Sequence, residues 1–194
     1  MLWSTNPTKL ISGILFAILL LTVNINSYGA KLWDGGVSTD WNDANNWQDD
    51  VLPDAQDIII PDVSGASGNF PVLSAASSFT PKKIQVKAGA TLTMNGTASV
   101  TVNGDLDIIG TLTCTAGTIT MGTSGKKIKG AGSINLFNIT INSSVQITHD
   151  GTATNINVAG DFTNNGTWVD GSGKITFNGS GNQNFDCGGD EFFH

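Results

Sequence analysis

Asp105 and Asp107 stand two apart in an alternating stretch, and Trp33, Trp41 and Trp47 fall within fifteen positions of one another. These are the residues whose types and spacing bear most directly on chemistry. In an extended strand, residues i and i+2 share a face, so Asp105 and Asp107 form the best candidate pair of catalytic carboxylates. The opposing reading is a coil edge, because Asp105 follows Gly104 and Asp after Gly is turn chemistry. Indole faces stack on sugar rings, and the three tryptophans lie among Asp and Asn hydrogen-bonding partners, which makes Trp33, Trp41 and Trp47 candidate carbohydrate-binding residues. Eight Asp residues share their block, and hard cations take carboxylate and carbonyl oxygens, so Ca2+ is the one cofactor the pattern admits. The D-x-[DN]-x-[DN]-G loop is absent. His149 and His194 have no ligating companion at metal-site spacing, and the serines occupy turn contexts with no nucleophile elbow. No metal site and no catalytic constellation emerge, so the expectation is a protein that is not an enzyme.

The elements that must position these residues are strands. Lys83–Lys87, Thr91–Met94, Ser99–Asn103, Thr111–Cys114, Thr118–Met121, Asn155–Val158 and Lys174–Phe177 alternate between apolar and polar residues with a period of two, the mark of a half-buried strand. Leu92, Val100, Leu112, Ile119 and Ile175 are the expected inward positions. The stretch also repeats. Moving 56 residues along takes Val102, Gly104, Asp105, Gly110, Gly117 and Ile119 onto Val158, Gly160, Asp161, Gly166, Gly173 and Ile175. It likewise takes Leu106 onto Phe162, Leu112 onto Trp168 and Met121 onto Phe177, whereas Asp107 meets Thr163 and Ile108 meets Asn164. Two tandem units, about 84–138 and 139–194, imply a stacked architecture in which no unit buries its apolar face alone. Each unit divides into about three rungs of eighteen or nineteen residues.

Two all-β folds compete for this pattern. Asn-Gly at 95–96, 103–104, 165–166 and 178–179 is a hairpin signal and favours an antiparallel β-sandwich. The phased glycines favour a parallel β-helix, or solenoid, and that is the expected fold.

Composition narrows the function. Of 16 acidic residues 15 are Asp, and all nine basic residues are Lys. Without Arg or a basic patch, nucleic acid is not an expected partner. A pI near 4.4 argues against adhesion to anionic lipid. Lys9, the apolar run Leu10–Val23 and the small residues up to Ala30 form a secretory signal peptide over 1–30. The run is shorter than the ~20 residues a membrane span needs, so the mature chain is expected to carry no transmembrane span and to work outside the cytoplasm. Cys114 lies on the apolar phase of its strand and reads as a small buried residue, with a Cys114–Cys187 disulfide as the lesser alternative.

Residues 31–62 form a separate block, joined to the repeats at 83–194 by a connecting segment at 63–82. The block reads W-x-G-x-x-S-x-D-W-x-x-x-x-N-W over Trp33–Trp47, then Pro53 and Asp57-Ile58-Ile59-Ile60-Pro61. This pattern resembles the opening module of large exported, adhesin-like surface proteins of Bacteroidota-type bacteria, in which it precedes Gly/Thr/Asn-rich parallel β-helix repeats. The resemblance implies a right-handed helix and a surface role. The residues themselves suggest a cap: three tryptophans and Ile58–Ile60 can build a small core, with Asx turns from Asn and Asp at 34, 40, 42, 43, 45 and 46. A stack needs such a cover at its open end.

Three function classes follow. The first is a non-catalytic structural or adhesive module of a secreted or cell-surface protein, its partners an extracellular glycan or the remainder of its own longer chain. The second is the amino-terminal part of a polysaccharide-active β-helix enzyme, since pectin-degrading β-helices use acidic clusters with Lys or Arg, which would give Asp105 and Asp107 a role. The third is an ice- or mineral-binding face built from the Thr-x-Thr pairs at 91/93, 111/113, 113/115 and 118/120. An Asp/Lys/Arg cluster on one face would favour the second, and Thr rows in register across rungs the third.

Overall fold

The structure, a computed structural model, describes residues 29–74, 78–150 and 155–188. The signal segment expected at 1–30 therefore lies almost wholly outside the described residues, as does His194.

The chain winds as a parallel β-helix with three flat sides. Among the described residues the first sheet has seven strands, Lys31–Leu32, Asp57–Ile60, Lys83–Val86, Leu106–Ile108, Lys126–Lys129, Gln146–His149 and Thr167–Val169. The second has six: Val72–Leu73, Thr91–Met94, Thr111–Cys114, Ser133–Leu136, Asn155–Val158 and Lys174–Phe177. The third also has six: Ser78–Phe79, Ser99–Val102, Thr118–Met121, Asn138–Ile141, Phe162–Asn164 and Phe185–Asp186. From Asp57 onward the chain visits the three sheets in turn, and each strand pairs in parallel with the one three places on. The antiparallel sandwich is thereby excluded.

The period-two alternation does the work of folding. Leu92, Val100, Leu112 and Ile119 are buried as expected, and Ile175 packs partly buried against the same core. Inward residues stack in register as apolar columns, Ile84 on Leu106 on Ile128, Leu92 on Leu112 on Ile134 on Ile156, and Val100 on Ile119 on Ile139 on Phe162. Stacking like on like buries apolar surface continuously along the axis, which stabilises at roughly 25 cal/mol per Å² removed from water.

The Asn-Gly pairs are corners between sheets and not hairpins. Asn95-Gly96 joins the second sheet to the third, and Asn103-Gly104 joins the third to the first. Gly96 has φ +67°, a conformation that glycine adopts without penalty, and a solenoid corner calls for it as readily as a hairpin does. At Gly104 the demand is for space, since a Cβ there would run into the carbonyl oxygen of Lys82 on the coil below.

The coil length differs from the eighteen or nineteen residues expected. Register steps run from 19 residues (Val100 to Ile119) to 27 (Lys31 to Ile58), and the run Ile84, Leu106, Ile128 advances by 22 each time. The 56-residue similarity spans eight strands, and eight is not a multiple of three. Leu112, in the second sheet, is thus matched to Trp168 in the first, and Leu106, in the first, to Phe162 in the third. The similarity records a unit of one strand plus one corner, about seven residues long.

Candidate functional site

The tryptophan block closes the first coil. Lys31–Leu32 pairs with Asp57–Ile60, and the intervening segment folds over the end of the stack through the antiparallel bridge Trp33–Trp47 and the parallel bridge Asp40–Val72. Trp33, Trp41 and Trp47 are 1%, 3% and 0% exposed. Trp47 meets both other rings edge-on, at 5.0 Å from Trp33 and 4.6 Å from Trp41, and Trp41 leans on Phe79 at 4.8 Å. The indole N–H groups are satisfied inside: Trp33 Nε1 donates to Asn69 O at 2.7 Å and Trp47 Nε1 to Trp41 O at 2.9 Å. A sugar platform needs exposed ring faces, and these rings offer none. The carbohydrate reading of Trp33, Trp41 and Trp47 is corrected on that ground, because their large apolar area is spent on the cap's core.

The remaining motif residues serve the same fold. Asn46 is fully buried, donates Nδ2 to Ser38 Oγ and Asp40 O, and accepts at Oδ1 from the backbone N–H groups of Val37 and Ser38. Its carbonyl accepts from Asp34 N and Gly35 N. Asp34, Asp40 and Asp43 make the expected Asx turns, accepting from Gly36, Asn42 and Asn45. Asn46, expected in the same turn role, is instead the hub of the block. Its place beside Trp47, five residues after the Asp40-Trp41 pair, gives no sign of this.

On the outer face of the first sheet, Asp107 in the strand Leu106–Ile108 and Asp105 just before it stand between Lys83 and Gln85 below and Lys127 and Lys129 above. Lys129 Nζ donates to Asp105 Oδ2 at 2.8 Å, and Lys127 N donates to Asp105 Oδ1 at 3.1 Å. Asp107 Oδ2 accepts from Gln85 Nε2 at 2.8 Å and lies 3.4 Å from Lys83 Nζ. Lys127 pairs onward with Asp150. Partial burial pushes the Asp105 carboxyl up, but the Lys129 and Lys127 hydrogen bonds together with the Lys129 and Lys83 charges outweigh it, so its pKa lies below the usual carboxylate range. The hydrogen bond to Asp105 raises Lys129 correspondingly. The two carboxylates share a face as expected, and each is engaged by ammonium groups from neighbouring coils. These Lys partners escaped the sequence reading, although Lys83, Asp105 and Lys127 follow one another at 22-residue intervals, as do Gln85, Asp107 and Lys129.

The interior is a packed core. Beneath the cap, Trp41, Leu73, Phe79, Leu92, Met94 and Val100 border an apolar space of about 10 Å³, room for a single water at most. Cys114 is buried, its thiol pushed up to about 12 by desolvation, while Cys187 is partly exposed and the two are not bonded. His149 faces inward and fully buried, its ring 5.6 Å from that of Trp168. Asn164, the odd counterpart of Ile108, is also buried and uses Oδ1 to accept from Gly166 N at 3.1 Å, fixing the corner that follows it. Among the described residues no three His, Cys, Asp or Glu side chains converge to hold a metal ion. No described helix is long and apolar enough to cross a membrane.

Comparison with known proteins yields no match among curated proteins or solved structures. One family model aligns with residues 32–150, which takes in the tryptophan cap and the coils as far as the Asp150 partner of Lys127. The chain belongs to the family described as a domain of unknown function, DUF8693.

Proposed function

We propose that this protein is a non-catalytic structural or adhesive module of an exported surface protein. The observation that carries the reading is the commitment of its chemistry-bearing residues to the fold: the tryptophans fill the cap, and Asp105 and Asp107 are tied to Lys83, Lys127 and Lys129 of adjoining coils. A packed solenoid with flat polar sides offers area and length, and the apolar run Leu10–Val23 behind Lys9 supports export. An extracellular glycan is the proposed contact. Displayed on a non-adherent bacterium, the full chain should increase retention on glycan-coated surfaces. Retention equal to that of cells displaying an unrelated β-helix would overturn the adhesive role.

One observation favours a second reading, a polysaccharide-active enzyme. Asp105, Asp107, Lys83 and Lys129 converge on one outer face, the arrangement that would suit proton abstraction from an acidic sugar. Incubation with polygalacturonate and neutral glycans, followed by reducing ends and unsaturated products, separates the two. The structural reading expects no turnover, and turnover abolished by Asp105→Asn would establish the enzyme.

A further inference from the structure

The three outer faces differ in what their polar groups already do. On the first sheet the charges satisfy one another. On the second, Thr91 and Thr93 stand in register with Thr111 and Thr113, but the rows pass after two strands into Ser133 and Asn135; there Asn157 Nδ2 donates to Asn135 Oδ1 at 2.8 Å, Asn135 Nδ2 donates to Ser133 Oγ at 3.0 Å, and Lys174 adds a charge. On the third, Thr101, Thr120, Thr140 and Thr163 stand in register on four successive strands. All four are partly exposed, and none of their hydroxyls takes part in a side-chain hydrogen bond among the described residues. Ser99 and Thr118 extend the pattern on the same face, and the strands Ser99–Val102, Thr118–Met121, Asn138–Ile141 and Phe162–Asn164 contain no charged residue.

The geometry points to this face as an ice-binding surface. Parallel strands lie about 4.8 Å apart, and residues i and i+2 along a strand about 6.6 Å apart. The free hydroxyls and methyls of Thr101, Thr120, Thr140 and Thr163 therefore form a narrow grid with one regular row across four strands, flanked along the strands by Ser99 and by Thr118, whose Oγ1 accepts from Asn138 Nδ2 at 3.5 Å. β-Branched Thr side chains are stiff at χ1, so the grid is ordered before any ligand arrives and little side-chain entropy is lost on contact. The four Thr-bearing strands form an uncharged patch in a chain of net charge −7, bounded by Asp161 at the corner and by Asp186, which stands in register beyond Thr163; such a patch fits a neutral occupant, and a lattice of water molecules supplies donors and acceptors at regular spacing. A neutral polysaccharide fits less well, because the one aromatic residue on these four strands, Phe162, is buried and no ring is available to stack on a sugar.

The test is incorporation of the fluorescently labelled full chain into a slowly growing ice hemisphere, together with inhibition of ice recrystallisation. The wild-type chain should enter the ice and keep crystals small. Thr120→Lys with Thr140→Lys should lose both effects, and Thr120→Val, which removes only the hydroxyl, should weaken them, each with an unchanged circular dichroism melt. Thr113→Lys on the second sheet should retain both. Exclusion of the wild-type chain from ice would overturn the proposal. So would equal incorporation of the double Lys variant, or a loss in that variant confined to retention on insoluble cellulose or chitin.

Discussion

Lys129 Nζ reaches across one coil to Asp105 Oδ2 at 2.8 Å, while the backbone N–H of Lys127, two residues earlier, occupies the other oxygen of the same carboxylate. The pair locks two turns of the solenoid in register from outside, where the stacked aliphatic columns do so from within.

Removing this pair should have a modest and pH-dependent cost. Partly exposed ion pairs contribute about 0.5–1 kcal/mol, so Asp105→Asn should lower Tm at neutral pH by roughly 2 °C. The folded-state pKa of Asp105 lies below its unfolded value of about 3.9, so its stabilisation is present above about pH 4 and is lost as pH falls through the folded value. Lys129 is raised, so its share is present below an unfolded value of about 10.4 and is lost as pH rises through the folded one. The Tm gap between wild type and Asp105→Asn should hold from about pH 5 to 10 and close on acidification. A gap that does not narrow as the pH falls below 4 would show that the substitution acts by some other route.

The register of the coils predicts unequal effects at adjacent positions. Leu112 is fully buried and Thr113 faces outward. Leu112→Asp buries an unpaired charge and should cost several kcal/mol, whereas Thr113→Lys should change stability by about 0.5 kcal/mol. Urea melts measure both, and equal losses would contradict the assigned faces.

How much of this was legible beforehand follows from what each signal encodes. Alternation reports which face a residue occupies, and it placed Leu92, Val100, Leu112 and Ile119 correctly inside. The 56-residue similarity reports recurrence of strands and corners without saying how many make a coil. It carries Leu112 to a different sheet, and with the wrong coil length the cross-coil partners of Asp105 could not be found. Asn46 illustrates another limit: a buried, fully hydrogen-bonded Asn and a turn Asn have the same letter, and only the convergence of Ser38 and Asp40 around it separates them.

Asn46 should accordingly be as important to the cap as the rings. Asn46→Ala leaves two backbone N–H groups and two acceptors without their partner, at about 1–3 kcal/mol for each buried group that water cannot reach. Asn45→Ala, on the exposed side, should cost less than about 1 kcal/mol. Chemical denaturation of the two variants checks the contrast, and similar midpoints would remove Asn46 from its assigned role.

The two thiols should differ sharply in reactivity. Cys114 is buried and its pKa is raised to about 12, whereas Cys187 is partly exposed. Since the thiolate is the reactive form, native protein at pH 7.5 should take up maleimide rapidly at Cys187 alone. Peptide mapping by mass spectrometry should find Cys114 labelled only in denaturant, and rapid native labelling of Cys114 would contradict its place in the core.

The account rests most heavily on the tryptophan motif as a cap. In a chain carrying Trp3→Phe and Trp168→Phe, only Trp33, Trp41 and Trp47 emit. Indoles buried as these are should give blue-shifted fluorescence that iodide barely quenches until the protein unfolds. Red-shifted emission readily quenched by iodide in the folded chain would contradict the cap and return the three rings to the surface, where they could stack on a sugar.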